Sequence, residues 1–500
     1  MNFSEKPYVG RLLSLMVWLP SFLFLFDDVL GTNGYQFTVF GVSIRIIWFA
    51  LSVLSLCGYC LYTVARDRIS LLPGKRHTPN LWQILTAMDW CVLAFLIVNF
   101  LWATIVPMAV RGETVFALKD VLPIVTLVLY FPLAFLIRTG KLRLQILEAI
   151  FYGLTLVLAV WHCVMYVGEC LAPGFYPAYY TLIDKLSFGT AVMSPVVYGF
   201  GIVRVIQTTS MFLLPGTFLS LRYIMQGKYW HLAGLFVFTF AICTTFTKSI
   251  WFGYVLGMVL YLVPGMVATK NRQLRIRAAA AAAAAVLIIV VLNFCVFQNK
   301  IFIRTFNTVR SEPSIQMLQE QVNAGLQGQA NAGQQGSNTH SSENVSTAPT
   351  ITQEKLEQLQ NELRDALGTQ EANSLRAAQN GALLSKWKES PLVGFGYGAY
   401  AQDCIRNEQY PFMYESTLPA LAMKIGILGL VLWMTFILGV TVWAWFGLGK
   451  PCFTDFFWWL GLAFSYALAV QTNPLLFTIP GFSILLYLLV AIQTKRNVRS

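Results

Sequence analysis

The residues best able to do chemistry lie between positions 391 and 429. Pro391-Leu392-Val393-Gly394-Phe395-Gly396 is followed by Tyr414-Glu415-Ser416 and, nine residues later, by Gly426-Ile427-Leu428-Gly429. Glu415 stands where a long polar stretch returns to an apolar one, and an ionisable group at such a boundary is costly unless it has a function. A carboxylate is ionised at neutral pH and can accept a proton from a hydroxyl group. The sequence therefore predicts that Glu415 is a functional residue.

Composition indicates what must hold Glu415 in place. The chain has 500 residues, of which 56% are hydrophobic and 12% charged, and its mean hydropathy is +0.61. Apolar runs of bilayer length recur along it, which indicates a polytopic helical membrane protein. The net charge of +12 does not indicate nucleic-acid binding, because Lys and Arg lie in short loops between apolar runs and are not clustered on one face.

The predicted fold is all-α, with about twelve transmembrane helices and one large loop. We expect spans near residues 12–26, 39–63, 84–109, 121–137, 145–167, 206–221, 229–245, 251–268, 278–297, 417–446, 455–471 and 475–493. The chain then divides into transmembrane helices at 1–200 and 201–297, the large loop at 298–416, and C-terminal transmembrane helices at 417–500.

The loops alternate in charge, and this gives the orientation. Basic residues concentrate on one side, and the positive-inside rule makes that side cytoplasmic, together with both termini. They are Arg66, Arg68, Lys75, Arg76, Arg138, Lys141, Arg143, Arg222, Lys228, Lys270, Arg272, Arg275, Arg277, Lys450, Lys495, Arg496 and Arg499. The first span lacks the small-residue cleavage site of a secretory signal, which predicts an uncleaved anchor.

The opposite side carries Arg204, Lys248 and the loop at 298–416, which contains Arg376. Residues 321–350 of this loop are rich in Gln, Asn, Gly, Ser and Thr, and we expect them to be mobile because they cannot bury enough apolar surface. From residue 353 onward, leucines at helical spacing predict an amphipathic helix. These leucines are Leu356, Leu359, Leu363 and Leu367.

No metal site is predicted. Cys57 and Cys60 have C-x-x-C spacing, but they lie inside an apolar run without a second pair of ligands, and the four histidines lack ligand spacing. Cys170 and Cys404 lie on the side opposite the basic loops, where a disulfide could form in an oxidising compartment. The sequence leaves that bond open.

The order of the motifs resembles that of the O-antigen ligase and O-antigen polymerase superfamily. In chain order, the matching parts are Arg204 before a span, Thr247-Lys248-Ser249 between two spans, the large loop, a helix led by Arg376, Pro391 through Gly396, and Glu415-Ser416 nine residues before Gly426 through Gly429. The resemblance covers roughly residues 200–435 by motifs and the rest of the chain only by the number of spans.

The resemblance implies a GT-C-like enzyme of the bacterial inner membrane. Such an enzyme transfers a glycan from an undecaprenyl-diphosphate carrier to a hydroxyl acceptor on the periplasmic face, without a nucleotide sugar, cofactor or metal ion. Arg204 and Arg376 would neutralise the leaving diphosphate, since guanidinium binds phosphate bidentately and stays ionised. Glu415 would deprotonate the acceptor hydroxyl. The implied substrate-binding residues are Lys248, Gly394, Gly396 and Tyr414.

Two positions depart from the pattern of the resembled family. Ligases usually carry His followed by Asn, Ser or Gln where this chain has Glu415-Ser416, which looks more like polymerase-type members. Ile250 stands where the turn often has an arginine, so Lys248 is the nearest cation. Polymerisation in O-antigen, capsule or exopolysaccharide synthesis is therefore favoured, with a flippase and a chain-length regulator as expected partners. Ligation to lipid A core and transfer to a protein hydroxyl remain alternatives.

A lipid-linked glycan flippase is the alternative from a different class. A flippase would also have many spans, but its two halves should be similar and charges should line a central cavity. The sequence has no half-to-half repeat and few charges deep in the expected spans apart from Asp89 and Lys424. Transport is therefore the less favoured interpretation.

The charge pattern of the loops predicts the result of reporter fusions. A fusion after Gly74 or Asn271 should report a cytoplasmic location, and a fusion at Gly336 a periplasmic one, because basic loops are retained inside. Paired alkaline phosphatase and fluorescent-protein fusions would measure this. A cytoplasmic signal at Gly336 would contradict the orientation and place Glu415 on the wrong side for a lipid-linked donor.

Overall fold

The computed structural model describes most of the chain. The described residues are 7–31, 38–39, 42–70, 80–112, 114–186, 197–199, 202–301, 317, 319–324, 326, 353–405, 408, 410–449, 453–471 and 476–493. The low-complexity stretch at 321–350 lies almost wholly outside these residues, so its expected mobility stays a prediction.

Helices predominate among the described residues, since a backbone in an apolar environment must hydrogen-bond internally. The α-helices are α1 (Pro7–Leu30), α2 (Ile44–Arg66), α3 (Leu81–Ile84), α4 (Ala87–Arg111), α5 (Ala117–Val125), α6 (Tyr130–Arg138), α7 (Leu144–Leu171), α8 (Phe175–Leu186), α9 (Leu213–Met225), α10 (His231–Thr245), α11 (Lys248–Val267), α12 (Arg272–Val291), α13 (Gln353–Glu389), α14 (Thr417–Ala444), α15 (Phe453–Ala469) and α16 (Ile479–Ala491). Two short antiparallel hairpins pair β1 (Thr38–Val39) with β2 (Val42–Ser43) and β3 (Val197–Gly199) with β4 (Ile202–Arg204).

Seven segments within the described residues are long and apolar enough to cross a membrane. They are Ile44–Arg66, Ala87–Arg111, Ala117–Arg138, Leu144–Leu171, Lys248–Val267, Arg272–Val296 and Thr417–Leu448. The helices α10 and α16 are apolar but shorter. The expected mainly helical class is confirmed, and these seven segments agree with the expectation of several membrane spans, whereas the count of about twelve spans and the GT-C-like arrangement stay predictions.

The chain divides into two compact units. The larger unit comprises residues 1–196, 205–289 and 379–500, and the smaller one residues 197–204 and 290–378. Within the larger unit, α11 packs along α15, α1 along α2, and α10 against both α7 and α9. The smaller unit contains the hairpin of β3 and β4 and most of α13, the helix that was expected from residue 353 onward.

The segment between the spans expected at residues 84–109 and 121–137 is shorter at both ends than the sequence predicts. Helix α4 continues to Arg111 and is ended by Gly112, whose φ of +73° suits a helix terminus, and α5 already begins at Ala117. Asp120 therefore lies within α5 and is only 1% exposed. An acidic residue can be buried there because Lys424 lies beside it.

Further charged residues are buried near the ends of the expected spans. On the predicted cytoplasmic side, the buried Arg138 guanidinium binds Asp89 at 2.6 Å and Gln493 at 2.7 Å. A second pair on the same predicted side joins Arg222 to Glu148 at 2.6 Å. The sequence could not show these pairs because their partners are far apart along the chain. Each pair joins helices of the larger unit and satisfies its own charge.

Helix α14 is interrupted in the middle of its apolar run. Gly426 has φ +62° and ψ −171°, so the helix stops at Ile425 and restarts at Ile427. The break leaves backbone N–H and C=O groups without helical partners, and in an apolar environment other parts of the protein must satisfy them. Glycine fits this position because other L-residues avoid positive φ.

The partners come from residues 391–398, which we call the glycine loop. Four backbone hydrogen bonds join it to both sides of the break: Phe395 N–H to Met423 O at 2.9 Å, Gly396 N–H to Lys424 O at 2.8 Å, Ile427 N–H to Pro391 O at 2.9 Å, and Leu428 N–H to Leu392 O at 3.0 Å. The two glycine-containing motifs found in the sequence are thus the two halves of one hydrogen-bonded structure.

Helix α4 holds the other side of the glycine loop. The indole of Trp102 donates to Val393 O at 2.8 Å, and its backbone carbonyl accepts from Tyr397 N–H at 3.0 Å. The guanidinium of Arg111 donates to the carbonyls of Tyr397 at 2.8 Å and Gly398 at 3.2 Å. The loop is therefore fixed by hydrogen bonds with α4 on one side and α14 on the other.

The loop glycines leave no room for a side chain. Gly394, Gly396 and Gly398 have φ of +70°, +80° and +77°. A Cβ atom on Gly394 would lie 2.5 Å from Lys424 O, and one on Gly396 would lie 2.4 Å from Pro107 Cγ. Glycine is needed at these positions for two reasons: the backbone has a left-handed conformation, and neighbouring atoms lie too close for a Cβ atom.

A pair of variants separates the two reasons for glycine. Gly396→Ala combines a positive φ, which costs roughly 1–2 kcal/mol, with a clash that adds roughly 1–3 kcal/mol. Gly112→Ala has the same φ problem but no atom within 4 Å of its Cβ. Thermal unfolding of the purified protein in detergent should show a clearly larger loss of stability for Gly396→Ala than for Gly112→Ala. Equal losses would contradict tight packing of the glycine loop.

Candidate functional site

Glu415 lies two residues before α14 begins at Thr417. Its backbone N–H donates to Gln379 Oε1 of α13 at 3.3 Å, and its side chain is half-buried. The N-terminus of a helix carries a partial positive charge that stabilises a nearby carboxylate. The backbone of Glu415 is thus held in place while its side chain keeps partial access to solvent.

The C-terminal end of α15 contacts both the segment that contains Glu415 and the segment that contains Lys248. Thr417 at the start of α14 donates from its hydroxyl to Val470 O and from its N–H to Gln471 O at 3.2 Å. Ser249 in the first turn of α11 donates to Ala469 O at 3.2 Å. The beginnings of α14 and α11 therefore both contact the end of α15, which places the segments containing Glu415 and Lys248 around one helix end.

Lys248 is the first residue of α11, directly after a tight turn. Phe246 adopts φ +45° at the end of α10, and Thr247 N–H donates to Thr245 Oγ1 at 3.2 Å. Lys248 is half-buried, whereas the threonines around it are buried. The Thr-Lys-Ser motif therefore forms a tight turn between α10 and α11, which places a cation at the start of α11.

A buried ion pair lies further along α14. Lys424 Nζ is 2.7 Å from Asp120 Oδ2, and the two side chains are 1% and 0% exposed. Asp120 also accepts from Gly398 N–H at 2.8 Å, and the ammonium lies 4.8 Å from the ring centroid of Phe477 and 5.5 Å from that of Phe412. Hydrogen bonds and aromatic faces offset part of the desolvation cost of both charges.

The ion pair positions the candidate base indirectly. Lys424 is seven residues beyond Thr417, about 10 Å along the helix. Because Asp120 also binds Gly398 of the glycine loop, the pair joins α5, α14 and the loop that leads to Glu415. Lys424 is engaged by Asp120, so its contacts favour a positioning role over contact with a diphosphate.

Tyr414 and the glycines predicted to bind substrate are engaged in packing. The Tyr414 ring is buried, and its hydroxyl accepts from Ala401 N–H at 2.6 Å. Burial raises the pKa of this hydroxyl well above its usual value, so it stays neutral. Gly394 and Gly396 face the backbone of Lys424 and the ring of Pro107. These three residues therefore help to fix the backbone that leads to Glu415.

The two arginines belong to the smaller unit. Arg204 ends β4, where it pairs with Val197, and its side chain is half-buried. Arg376 lies in α13 and is also half-buried. Glu415 and Lys248 belong to the larger unit, so the meeting of all four charged residues around one substrate stays a prediction.

Cys170 and Cys404 are both free thiols. Cys170 is exposed at the end of α7, and Cys404 is half-buried, with its thiol directed to Ala401 O at 3.8 Å. Within the described parts of the chain, no group of three or more His, Cys, Asp or Glu side chains is arranged to hold a metal ion.

Asp120 and Arg111 were missed by the sequence analysis. A signal existed for Asp120, because a lysine within an apolar span requires an acidic partner, and Asp120 opens another span on the same predicted side. Arg111 gave no comparable signal, since its partners are the backbone carbonyls of Tyr397 and Gly398.

Compared with known protein families and with curated proteins, the chain has no match in either. The resemblance to the O-antigen ligase and polymerase superfamily therefore depends on the motifs and their spacing, and it stays a prediction.

Removal of one partner of the buried ion pair should destabilise the protein. Asp120→Asn and Lys424→Met each leave a buried group without its counterpart, which costs about 3–5 kcal/mol. The double variant removes both charges and keeps an acceptor for Gly398, so it should recover much of the loss. Asp67→Asn, in the more exposed pair with Lys141, should cost less than about 1 kcal/mol.

Thermal unfolding in detergent would measure these four variants. A double variant as unstable as the sum of the two single ones would contradict a mutual interaction between Asp120 and Lys424. A loss from Asp67→Asn as large as that from Asp120→Asn would show that burial is not the cause.

Proposed function

We propose that this protein is a membrane glycosyltransferase that polymerises undecaprenyl-diphosphate-linked glycan on the periplasmic face. The observation that carries the proposal is the placement of Glu415 before the start of α14, at the end of α15 where α11 begins with Lys248. An acid and a cation at one helix end suit a reaction in which a hydroxyl is deprotonated and an anion leaves.

In the proposed reaction, Glu415 accepts the proton of the acceptor sugar hydroxyl. The hydroxyl oxygen forms a bond to the anomeric carbon of the donor glycan, and the bond between that carbon and the diphosphate oxygen breaks. Undecaprenyl diphosphate leaves with the electron pair. Arg204 and Arg376 are proposed to neutralise the developing charge with Lys248, because guanidinium and ammonium groups both stabilise phosphate oxygens.

The rigidity of the support favours catalysis at this place. A general base must be held within hydrogen-bond reach of the hydroxyl it deprotonates. The chain that leads to Glu415 is fixed by the glycine loop, by the hydroxyl of Tyr414 and by Gln379. Such support is expected of a residue whose side chain must be positioned accurately.

The pairing of charges argues against transport as the primary function. A transport path is usually lined by ionisable side chains that exchange partners. In the described part of the chain, Asp89 is bound by Arg138, Glu148 by Arg222, and Asp120 by Lys424, each at 2.7 Å or less. These pairs join neighbouring helices and favour a fixed scaffold.

Transfer from a purified undecaprenyl-diphosphate glycan in the presence of EDTA tests the proposal. The wild-type protein should form chains of two or more repeat units on the lipid carrier. Glu415→Gln keeps the size and hydrogen bonding of the side chain but removes the base, so transfer should fall by at least about 100-fold. Glu408→Gln, an exposed acid in the same loop, is the matched control and should leave transfer unchanged.

Several outcomes would contradict the proposal. Normal turnover by Glu415→Gln would exclude Glu415 as the base, and loss of wild-type transfer in EDTA would contradict neutralisation of the diphosphate by Arg and Lys alone. Products formed only on added lipid A core or on a protein hydroxyl would replace polymerisation by one of the two ligation alternatives.

A further inference from the structure

A cavity of about 430 Å³ lies among α1, α7 and α16 of the larger unit. Its walls are mainly apolar and include Trp18, Leu25, Leu133, Phe151 and Leu486. The volume falls within the range of sites for small organic ligands, roughly 300–1,000 Å³. Among the described residues that line it, none belongs to the candidate site around Glu415.

The cavity opens between α1 and α7. Phe22 of α1 and Ile146 and Ile150 of α7 line it and are 41%, 52% and 38% exposed. Residues that both line a cavity and reach the surface mark its entrance. The outer surface here is formed by two apolar helices, and α7 is long enough to cross a membrane. An occupant that enters from this direction must therefore carry hydrocarbon.

One end of the cavity is basic. It is formed by the turn at residues 140–143, between α6 and α7 on the predicted cytoplasmic side. Lys141 is bound by Asp67 at 2.7 Å, whereas Arg143 is exposed and adds a net positive charge. Guanidinium binds phosphate with two parallel hydrogen bonds, so this end suits an anionic headgroup.

A buried hydroxyl lies one helical turn deeper. Tyr487 lines the cavity and is 5% exposed, and its hydroxyl has no hydrogen-bond partner among the described residues. It precedes the end of α16 at Ala491 by four residues, about 6 Å. That end lies beside the basic turn, because Gln493 binds Arg138 at the end of α6. A buried hydroxyl is costly without a partner, so an acceptor oxygen of a ligand would fit here.

We propose that this cavity binds one anionic diacyl phospholipid from the cytoplasmic leaflet. The phosphate binds Arg143, an ester oxygen accepts from the Tyr487 hydroxyl, and an acyl chain lies along the apolar walls toward Trp18. The cavity combines a basic end, buried hydroxyls and apolar walls, which correspond to the phosphate, ester and hydrocarbon parts of a phospholipid. The proposal is independent of the glycan-transfer function, since it uses none of the residues assigned to that reaction.

Simpler ligands fit only part of the cavity. A free phosphate or sugar phosphate would leave the apolar walls uncovered. A plain hydrocarbon would leave the buried Tyr487 hydroxyl without a partner. Only an amphiphile with both parts satisfies the whole cavity.

Native mass spectrometry of the full-length protein in detergent tests the proposal. Phosphatidylglycerol should bind with one molecule per chain and with an affinity on the order of tenfold higher than diacylglycerol, equivalent to about 1.4 kcal/mol. Phosphatidylcholine and glycerol 3-phosphate complete the series. Phosphatidylcholine tests whether the net charge of the headgroup matters, and glycerol 3-phosphate tests whether the acyl chains matter. Both should bind more weakly than phosphatidylglycerol.

Two variants test whether the lipid binds in this cavity. Arg143→Glu reverses the anchoring charge, and Ile150→Trp narrows the entrance at an exposed position that tolerates a larger side chain, so each should lower binding of phosphatidylglycerol on the order of tenfold. Arg275→Glu is a matched reversal of an exposed charge on the same predicted side. Leu256→Trp is a matched enlargement of an exposed residue on α11. Both controls should bind as the wild type does.

Three outcomes would overturn the proposal. Diacylglycerol or phosphatidylcholine bound as tightly as phosphatidylglycerol would show that the cavity does not recognise an anionic headgroup. Glycerol 3-phosphate bound as tightly would show that the chains are not recognised. Unchanged phosphatidylglycerol binding in both Arg143→Glu and Ile150→Trp, with folded protein verified by gel filtration, would place the lipid elsewhere.

Discussion

A helix can be broken inside an apolar environment only if another part of the chain hydrogen-bonds the exposed backbone. Here the break at Gly426 is satisfied by the glycine loop, which approaches so closely that side chains are excluded. The loop in turn needs its own partners, and Trp102 and Arg111 of α4 supply them. Much of the larger unit around α14 is therefore organised by the need to complete one set of backbone hydrogen bonds.

The same arrangement links scaffold and candidate site. The glycine loop continues into the chain that carries Glu415, and the start of α14 is fixed to the end of α15. Asp120 contributes to both parts, because it binds Lys424 on α14 and the N–H of Gly398 in the loop. A distortion at the break would therefore be transmitted to the position of Glu415. Rigid attachment of this kind suits a residue that must act at a defined distance from a substrate.

The mainly helical class and most helix positions could be predicted from the sequence, because apolar run length is a local property. The motifs around Gly394 and Gly426 were also visible, but their mutual hydrogen bonding was not, since it depends on contacts between distant segments. Asp120 was assigned to a loop for the same reason. A charge in the last residues of an expected loop and a charge at the start of a buried helix look alike until the partner is known.

The large separation along the chain between Asp120 and Lys424 has a consequence for biogenesis. The two residues are 304 positions apart, so at a synthesis rate of about 5–20 residues per second the first waits roughly 15–60 s for the second. During this time the glycine loop that binds α4 and α5 has not yet been synthesised. The buried ion pair and the contacts of the glycine loop can therefore form only after most of the chain has been synthesised.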